Sequence, residues 1–178
     1  MAGRGGELGR VVVLGVGNPM RGDDGVGPAV VAKCRELCGH SEGRLVLIDA
    51  GESPEAHLDE VRGLGPDVVV IVDAVDFGGR PGEVALFDLV RDGSSRAMSL
   101  PSTHRLPLGL LASYIRKETG AEVVLVGVQP RSIEFGEGMS EEAGRAAEAV
   151  ARALVGGDLL REIDRRFRGR RREGGGQA

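Results

Sequence analysis

Short apolar runs alternate along the chain with segments whose apolar residues recur every three or four positions. Four runs are nearly continuous, which is typical of parallel strands buried on both faces. They are VVVLGV at 11–16, RLVLIDA at 44–50, VVVIVDA at 68–74 and EVVLVGV at 122–128. A shorter run, EVALF at 83–87, follows a GGRPG turn and predicts an antiparallel edge strand.

Helical spacing separates these runs. The first helix is predicted from one apolar stripe, formed by Val26, Val30, Cys34 and Leu37. The segment SPE at 53–55 carries a capping Ser, a Pro in the first turn and an acid, so it predicts a helix start. Further helices are predicted over 107–118, over 141–154 behind a Ser140 cap, and from 158 to about 167. This order predicts an α/β fold, a three-layer α/β/α sandwich around a mainly parallel sheet of about five strands.

The length of 178 residues fits one domain. We expect residues 1–163 to form this domain and residues 164–178 to be a flexible Arg- and Gly-rich tail. That segment contains six arginines and only two acids, Asp164 and Glu173. The whole chain has a net charge of −4, so the acidic charge lies outside this tail. An acidic body argues against nucleic acid as the main ligand, and the scarcity of aromatic residues, 3% with no Trp, agrees.

The sequence also predicts the subcellular location of the protein. The first ten residues lack the apolar stretch of a signal peptide, and no run approaches the roughly 20 apolar residues of a membrane span. Two cysteines are too few for a secreted disulfide framework. We therefore expect a cytoplasmic protein without membrane attachment. Heptads and long exposed apolar helices are missing from the pattern, so we expect a monomer.

Carboxylates gather where three of the predicted strands end. Asp23 and Asp24 follow the first strand, Asp49 ends the second, and Asp73 ends the third. Ligands of parallel sheets bind at the carboxyl ends of the strands, and clustered carboxylates repel one another unless a cation or proton joins them. We expect these acids to face one metal- or cation-contacting crevice. With Asp24 and Asp73, His104 would complete a set of two carboxylates and one imidazole, which suits Ni, Zn or Fe.

Other chemistry is less well supported by the residues. Gly15 and Gly17 begin like a dinucleotide fingerprint, but Met20 stands where its third glycine belongs and two acids follow. The HExxH and GxSxG motifs are missing. Cys34 lies on the apolar stripe of its helix, so we interpret it as a packed free thiol. The residues alone indicate an α/β protein with an acidic, metal-contacting site.

Five segments, in order, resemble the maturation endopeptidases of [NiFe] hydrogenases, and the resemblance extends over about residues 10–155. They are GVGNPMRGDDGVG at 15–27, DAG at 49–51, VDA at 72–74, STH at 102–104 and GVQP at 127–130. The QP ending and the PE pair at 54–55 look most like the branch that serves formate-hydrogenlyase-type hydrogenases.

The resemblance implies a protease that removes the C-terminal extension of a [NiFe] hydrogenase large-subunit precursor after nickel insertion. It implies that Asp24, Asp73 and His104 contact the metal and carry out catalysis. The nickel is implied to arrive on the substrate rather than to be held stably by the free enzyme. Asp24 stands where some members have Glu, and the Arg-rich tail has no counterpart in the family pattern.

Four further residues are expected to support this set. Asn18 and Gly17 are expected to orient the chain or an oxyanion through backbone N–H groups. Asp49 and Asp23 are expected to lie behind the metal-contacting residues and to orient loops or a ligand.

Three other functions remain to be distinguished. A stand-alone metallohydrolase would keep its own metal, and a nickel-handling or chaperone-like protein would bind the precursor without cleaving it. A nucleotide-binding module is the weakest of the three.

Overall fold

The computed structural model describes residues 9–39, 43–89 and 107–168. Within them a five-stranded sheet has the order β2-β1-β3-β5-β4. Its strands are β1 Val11–Val16, β2 Leu45–Gly51, β3 Val68–Ala74, β4 Val84–Phe87 and β5 Glu122–Val128. β1, β2, β3 and β5 are parallel, and β4 pairs antiparallel with β5. The predicted mainly parallel sheet with an antiparallel edge strand is confirmed.

Helices cover both faces of this sheet. They are α1 Val26–Cys38, α2 Leu58–Leu64, α3 Leu108–Thr119, α4 Glu141–Val155 and α5 Asp158–Ile163. Two 3₁₀ turns, Gly22–Gly25 and Pro54–His57, precede α1 and α2, and a π-helical turn, Asp164–Arg168, follows α5. Residues of α1, α4 and α5 share one hydrophobic core with the sheet, whereas residues of α2 and α3 share the other. This arrangement confirms the three-layer α/β/α sandwich.

The pleat of the strands divides the apolar residues between these two cores. In β3, Val70 and Val72 face α1 and α4, while Val69 and Ile71 face α2 and α3. Burying each such side chain contributes about 1.5–3 kcal/mol to folding. Leu37 differs from the predicted stripe because it lies in the last turn of α1, where it is 39% exposed.

The helix starts follow the sequence signals in part. The Ser140 hydroxyl accepts the Ala143 N–H at 3.2 Å, so the predicted cap of α4 is confirmed. Ser53 makes no side-chain cap bond, and the predicted helix start at this point is a 3₁₀ turn that only then continues as α2. At the other end of the chain, helical structure continues through the first five residues of the predicted tail. The proposed boundary at residue 163 stays a prediction.

Among the described residues, no helix is long and apolar enough to cross a membrane.

The order of the strands places a switch point next to β1. The chain leaves β1 through α1 to reach β2 on one side, and it returns through α2, on the other face, to reach β3 on the opposite side. In open α/β sheets, the crevice at such a point, outside the carboxyl ends of the strands, is where ligands bind. Asp24 follows β1 and Asp73 lies in β3, so both belong to this crevice.

Candidate active site

Asp73 lies within the most buried part of the sheet. It is the sixth residue of β3, it is fully buried, and it stands opposite Gly127 of β5. The alternation along β3 directs its side chain to the same face as Ile71, toward α2 and α3. An ionised carboxylate at such a depth is costly unless cations or hydrogen-bond donors offset its charge. Its position therefore marks Asp73 as a candidate for chemistry rather than for solubility.

Asp24 is held by the loop that follows β1. It lies in the 3₁₀ turn before α1, and it is fully buried. Its Oδ2 accepts the backbone N–H of Asn18 at 2.9 Å, and its own N–H donates to the Arg21 carbonyl at 3.0 Å. These bonds fix the direction of the carboxylate before any substrate arrives.

Gly17 makes this loop possible. Its φ is +133°, which L side chains rarely adopt, and a Cβ at this position would lie 1.8 Å from the Asp24 carbonyl oxygen. The loop therefore closes directly onto the backbone of Asp24. The glycine of the sequence motif is explained by this close approach.

Asp24 and Asp73 approach the crevice from adjacent elements. Gly15 of β1 pairs with Val72 of β3. Asp73, the next residue, therefore lies level with the point where β1 turns into the loop that carries Asp24. A Cβ at Gly27, in the first turn of α1, would lie 2.5 Å from the Val72 carbonyl oxygen. The start of α1 is thus pressed against β3 beside Asp73. The backbone segments that carry Asp24 and Asp73 therefore lie at the same end of the sheet, and a shared metal contact by the two carboxylates stays a prediction.

The third member of the predicted set, His104, lies outside the described residues, as does His40. Among residues 9–39, 43–89 and 107–168, no three His, Cys, Asp or Glu side chains are grouped so as to hold a metal ion. The complete set of Asp24, Asp73 and His104 therefore stays a prediction. The described part of it consists of two carboxylates.

Asp23 has a different environment from its neighbour Asp24. It is buried, and its carboxylate accepts three hydrogen bonds from the loop of residues 131–140. The donors are the Arg131 N–H at 2.7 Å, the Ser140 N–H at 2.7 Å and the Ser140 hydroxyl at 2.8 Å. Asp23 is therefore turned toward this loop rather than sharing the role of Asp24.

Backbone bonds join the same two segments. The N–H groups of Gly22 and Asp23 donate to the carbonyls of Glu137 and Ser132, at 3.0 and 2.9 Å. The N–H of Gly136 donates to the Met20 carbonyl at 2.8 Å. Residues 18–24 and 131–140 thus form one bonded unit at the edge of the crevice. We call it the double loop.

Comparison with known proteins agrees with this fold. A family model, HycI, described as a hydrogenase maturation protease, matches residues 28–156, which is more than half of the chain. The chain belongs to the hydrogenase maturation protease family. The resemblance seen in the five sequence segments is confirmed, and the protein is a peptidase, hence a hydrolase.

Relatives and solved structures support the assignment. The hydrogenase 3 maturation protease of Escherichia coli K12 is 37% identical over 145 residues, which cover 82% of this chain and 88% of the relative. The crystal structure of HycI from Thermococcus kodakarensis KOD1 is 37% identical, with a TM-score of 0.74, and covers 86% of this chain and 94% of that one. The solution structure of the endopeptidase HycI from Escherichia coli is 34% identical, with a TM-score of 0.72. The match covers 84% of this chain and 91% of that one. The similarity is therefore to HycI-type maturation proteases.

The backbone N–H groups of Gly17 and Asn18 are both hydrogen-bonded within this protease. The Gly17 N–H donates to the Gly51 carbonyl at 2.9 Å, and the Asn18 N–H donates to Asp24. The Asn18 Oδ1 accepts the Met20 N–H at 2.8 Å. Both backbone donors are engaged within the protein, because the loop needs them to hold its own shape. In the described loop the Asn18 N–H holds the Asp24 carboxylate, and the expected role of Asn18 and Gly17 toward a substrate stays a prediction.

Asp49 does not share the face of Asp73. In β2, Leu47 packs on the α1 face and Ile48 on the α2 face. Side chains alternate along a strand, so Asp49 lies on the same face as Leu47, away from the face that Asp73 occupies. Its side chain is exposed and accepts the Gly51 N–H at 3.2 Å. The expectation of one crevice for all four acids is wrong for Asp49. Its supporting role stays a prediction, and what the structure assigns to it is the turn after β2.

Gln129 is a structural residue whose role sequence inspection missed. Its Oε1 accepts the N–H groups of Phe77 and Gly79, at 2.9 and 3.0 Å, and its Nε2 donates to Asp76 Oδ1 at 3.0 Å. The Gln129 amide, and secondly the Gly78 N–H, lower the pKa of Asp76. Gln129 therefore organises the loop that follows β3. The GVQP motif located this residue, but nothing in the sequence linked it to a loop 50 positions earlier.

Proposed function

We propose that this protease removes the C-terminal extension of a [NiFe] hydrogenase large-subunit precursor after nickel has been inserted. The observation that carries the proposal is the pair of fully buried carboxylates, Asp24 and Asp73, at the switch point of a maturation-protease fold. Carboxylates this deep favour a bound cation, because a cation offsets the cost of their desolvation. In the proposal this cation is the nickel of the substrate.

Each carboxylate has a distinct part in the proposed reaction. Asp24 is oriented by the Asn18 N–H, so it can contact the nickel without first reorganising. Asp73, on the adjacent strand, is proposed to contact the same ion from the other side of the crevice. His104, carried over from the family pattern, is proposed as the third contact. The bound ion polarises the scissile carbonyl or acidifies a water molecule, and one carboxylate accepts the proton.

The docking of nickel gives the reaction its specificity. A precursor that lacks nickel offers no cation to the carboxylate pair, so it is expected to bind poorly and to remain uncut. The proposal further places the reaction in the cytoplasm and assigns it to a monomer. The named relatives are proteases, which favours cleavage over binding alone and over a hydrolase with a metal of its own.

The deciding experiment is intact-mass analysis of the cognate precursor, with and without nickel, after incubation with the protease. We expect a C-terminal peptide to be lost only from the nickel-loaded precursor. An unchanged mass of a nickel-loaded precursor would overturn the proposed function. Metal analysis of the purified protease distinguishes the alternatives, because a stoichiometric metal would support the stand-alone metallohydrolase.

A further inference from the structure

The loop that carries Asp24 uses its backbone donors within the protein. Each N–H group of residues 17–24 donates to an oxygen of this chain, and Pro19 has no N–H group to donate. Peptide hydrolysis places negative charge on the oxygen of the scissile carbonyl, and enzymes stabilise that charge with hydrogen-bond donors held in place beforehand. The donors that this loop has left for a substrate are those of its side chains.

Asn18 carries a side-chain donor of this kind, and the residue itself is bonded to Asp24. The Asn18 N–H donates to Asp24 Oδ2 at 2.9 Å. The side-chain amide is held in one orientation, because its Oδ1 accepts the Met20 N–H at 2.8 Å. A backbone N–H can only donate, so the amide oxygen must face Met20 and the amide nitrogen, Nδ2, must be directed elsewhere.

The Nδ2 group of Asn18 has donor capacity to spare. It donates no hydrogen bond to any residue in the part of the chain that the structure describes. Asn18 is half-buried, so the amide is reached by solvent and can be reached by a substrate. A donor whose orientation is already fixed loses little conformational entropy when it binds.

The backbone around Asn18 is also fixed by close packing. A Cβ at Gly25 would lie 2.8 Å from Pro19 Cα, so the 3₁₀ turn before α1 packs directly on the residue that follows Asn18. The loop therefore has little freedom to move the Asn18 amide away from Asp24.

Arg21 is the other residue of this loop with a side-chain donor. Its Nε donates to the Ile133 carbonyl at 3.2 Å, which ties the guanidinium to the 131–140 segment of the double loop. Asn18 is tied instead to the Asp24 carboxylate. Of the two residues, Asn18 is therefore the one whose backbone is fixed to a candidate catalytic group.

We propose that Asn18 Nδ2 donates a hydrogen bond to the carbonyl oxygen of the scissile peptide bond. In the hydrolysis, a water oxygen bonds to the carbonyl carbon, and one proton of that water passes to a carboxylate of the crevice. The electron pair of the C=O double bond moves to the carbonyl oxygen, and Nδ2 stabilises the negative charge there. The double bond then forms again, the C–N bond breaks, and the leaving nitrogen takes the proton from the carboxylate.

This inference rests on the proposed function, because it takes the Asp24 crevice as the place of cleavage. It requires nothing of the precursor sequence, since every peptide bond has a carbonyl oxygen. The loss of one such donor lowers kcat by about 100- to 1000-fold in enzymes that stabilise an oxyanion, and it leaves binding of the ground state largely unchanged.

The test separates this role from the turn that the same side chain forms. Asn18→Ser and Asn18→Asp both keep an oxygen that can accept the Met20 N–H, but neither presents an amide N–H group. With nickel-loaded precursor, we expect each variant to lower kcat by about a hundredfold and to leave KM within about threefold. Both should unfold within about 0.5 M of the wild-type urea midpoint, because the turn is kept.

Ser132→Ala is the matched control. The Ser132 hydroxyl accepts the Glu134 N–H at 3.2 Å, two positions later, as Asn18 accepts that of Met20, and it lies on the other segment of the double loop. Its kcat and KM should stay within about twofold of the wild type. A loss in Ser132→Ala as large as in Asn18→Ser would show that any disturbance of the double loop is sufficient, and the inference would be wrong.

The two Asn18 variants must also agree with one another. A kcat of Asn18→Ser within about threefold of the wild type, or a change confined to KM, would overturn the inference. So would a loss in Asn18→Asp alone, because that result would come from the added negative charge beside Asp24.

Failure of this inference can be told from failure of the proposed function. If the wild type cleaves the nickel-loaded precursor and Asn18→Ser cleaves it equally fast, the proposed function stands and the role of Asn18 Nδ2 is wrong. If the wild type leaves that precursor uncut, both are wrong. Cleavage by the wild type together with the loss of kcat in both Asn18 variants supports both.

Discussion

The side chains of Asp23 and Ser140 meet although 117 positions separate them in the chain, and two bonds join them. The Ser140 hydroxyl donates to Asp23 Oδ2 at 2.8 Å, and the Ser140 N–H donates to Oδ1 at 2.7 Å. The same hydroxyl accepts the Ala143 N–H at the start of α4. Ser140 thus ties the turn that carries Asp24 to the helix on the α1 face. The start of α4 and the position of the turn that carries Asp24 depend on one another.

We expect this connection to be measurable as a coupling energy. Ser140→Ala removes a cap and a bond to a buried carboxylate, so it should lower the free energy of unfolding by about 1–3 kcal/mol. Asp23→Ala leaves the part-buried N–H groups of Arg131 and Ser140 without their acceptor and should cost about 3–5 kcal/mol. Urea unfolding of both variants measures these losses. The double variant should lose less than the sum by about 1–2 kcal/mol, since both changes remove the same bond.

Ser113→Ala is the control for this cycle. Its hydroxyl donates only to the Gly109 carbonyl one turn earlier in α3, so its loss should change the free energy of unfolding by no more than about 0.5 kcal/mol. Strict additivity of the Asp23 and Ser140 variants would contradict the connection.

Gly17 offers a second prediction, on the loop that holds Asp24. Gly17→Ala should cost about 3–5 kcal/mol, because it combines a strained φ with a Cβ placed 1.8 Å from the Asp24 carbonyl oxygen. Gly65→Ala separates these causes. Its φ is +57°, but no atom lies within 4 Å of the added Cβ, so strain alone should cost about 1–2 kcal/mol. Urea unfolding measures both losses. Equal losses would show that the close approach at Gly17 is relieved by movement.

The sequence allowed the sheet to be predicted closely where strands are buried on both faces. β1, β3 and β5 begin and end at the limits of their apolar runs, since a strand that lacks a solvent face is almost entirely apolar, and the exceptions, Asp73 and Glu122, lie at the strand ends. Asp73 was singled out as a site candidate because an acid at the end of such a strand is unusual, and the roles of Asp24 and Asp73 stay predictions. These features depend only on local sequence and on the general geometry of parallel sheets.

The remaining features depend on contacts between distant segments. Whether Asp49 faces the crevice is decided by the pleat of β2 relative to β3, which the run of apolar residues does not reveal. The hydrogen bonds of Asp23 come from a loop more than 100 positions later in the chain. The N–H groups of Gly17 and Asn18 could be assigned to the loop itself only once its closure onto Gly51 and Asp24 was known. Such pairings are set by the tertiary fold and leave no periodic signal.

Cys34 provides a prediction about pH. Burial, and secondly repulsion from Cys38, raise the pKa of the Cys34 thiol from its ordinary 9.0 to about 11. The folded protein therefore holds this proton more tightly than the unfolded chain does. The resulting stability is complete below pH 9 and is lost as the pH rises from about 9 to 11.

Two measurements check this behaviour. The advantage of the wild type over Cys34→Ala in free energy of unfolding should shrink between pH 9 and 11, whereas Lys and Tyr titrations affect both proteins alike. A thiol reagent at pH 8 should modify Cys38, which is half-buried, and should reach Cys34 only after unfolding. Rapid modification of both thiols in the folded protein would contradict the packed position of Cys34.

The last prediction concerns the carboxylates of the crevice. Asp24→Asn and Asp73→Asn should each lower the rate of precursor cleavage by about a hundredfold or more, because the neutral amides no longer attract the nickel and accept no proton. Asp24→Asn keeps an oxygen that can accept the Asn18 N–H, so its loop should remain folded. Asp59→Asn, which changes an exposed acid of α2, should cleave at the wild-type rate.

Asp24→Glu gives the sharper result, since the family pattern has Glu at this position in some members. It restores the charge with one more methylene, and we expect it to keep a rate within about tenfold of the wild type. His104→Ala should resemble Asp24→Asn if the predicted third contact is correct. Intact-mass kinetics with nickel-loaded precursor measure all of these rates. A variant Asp24→Asn that cleaves as fast as the wild type would remove Asp24 from the proposed reaction.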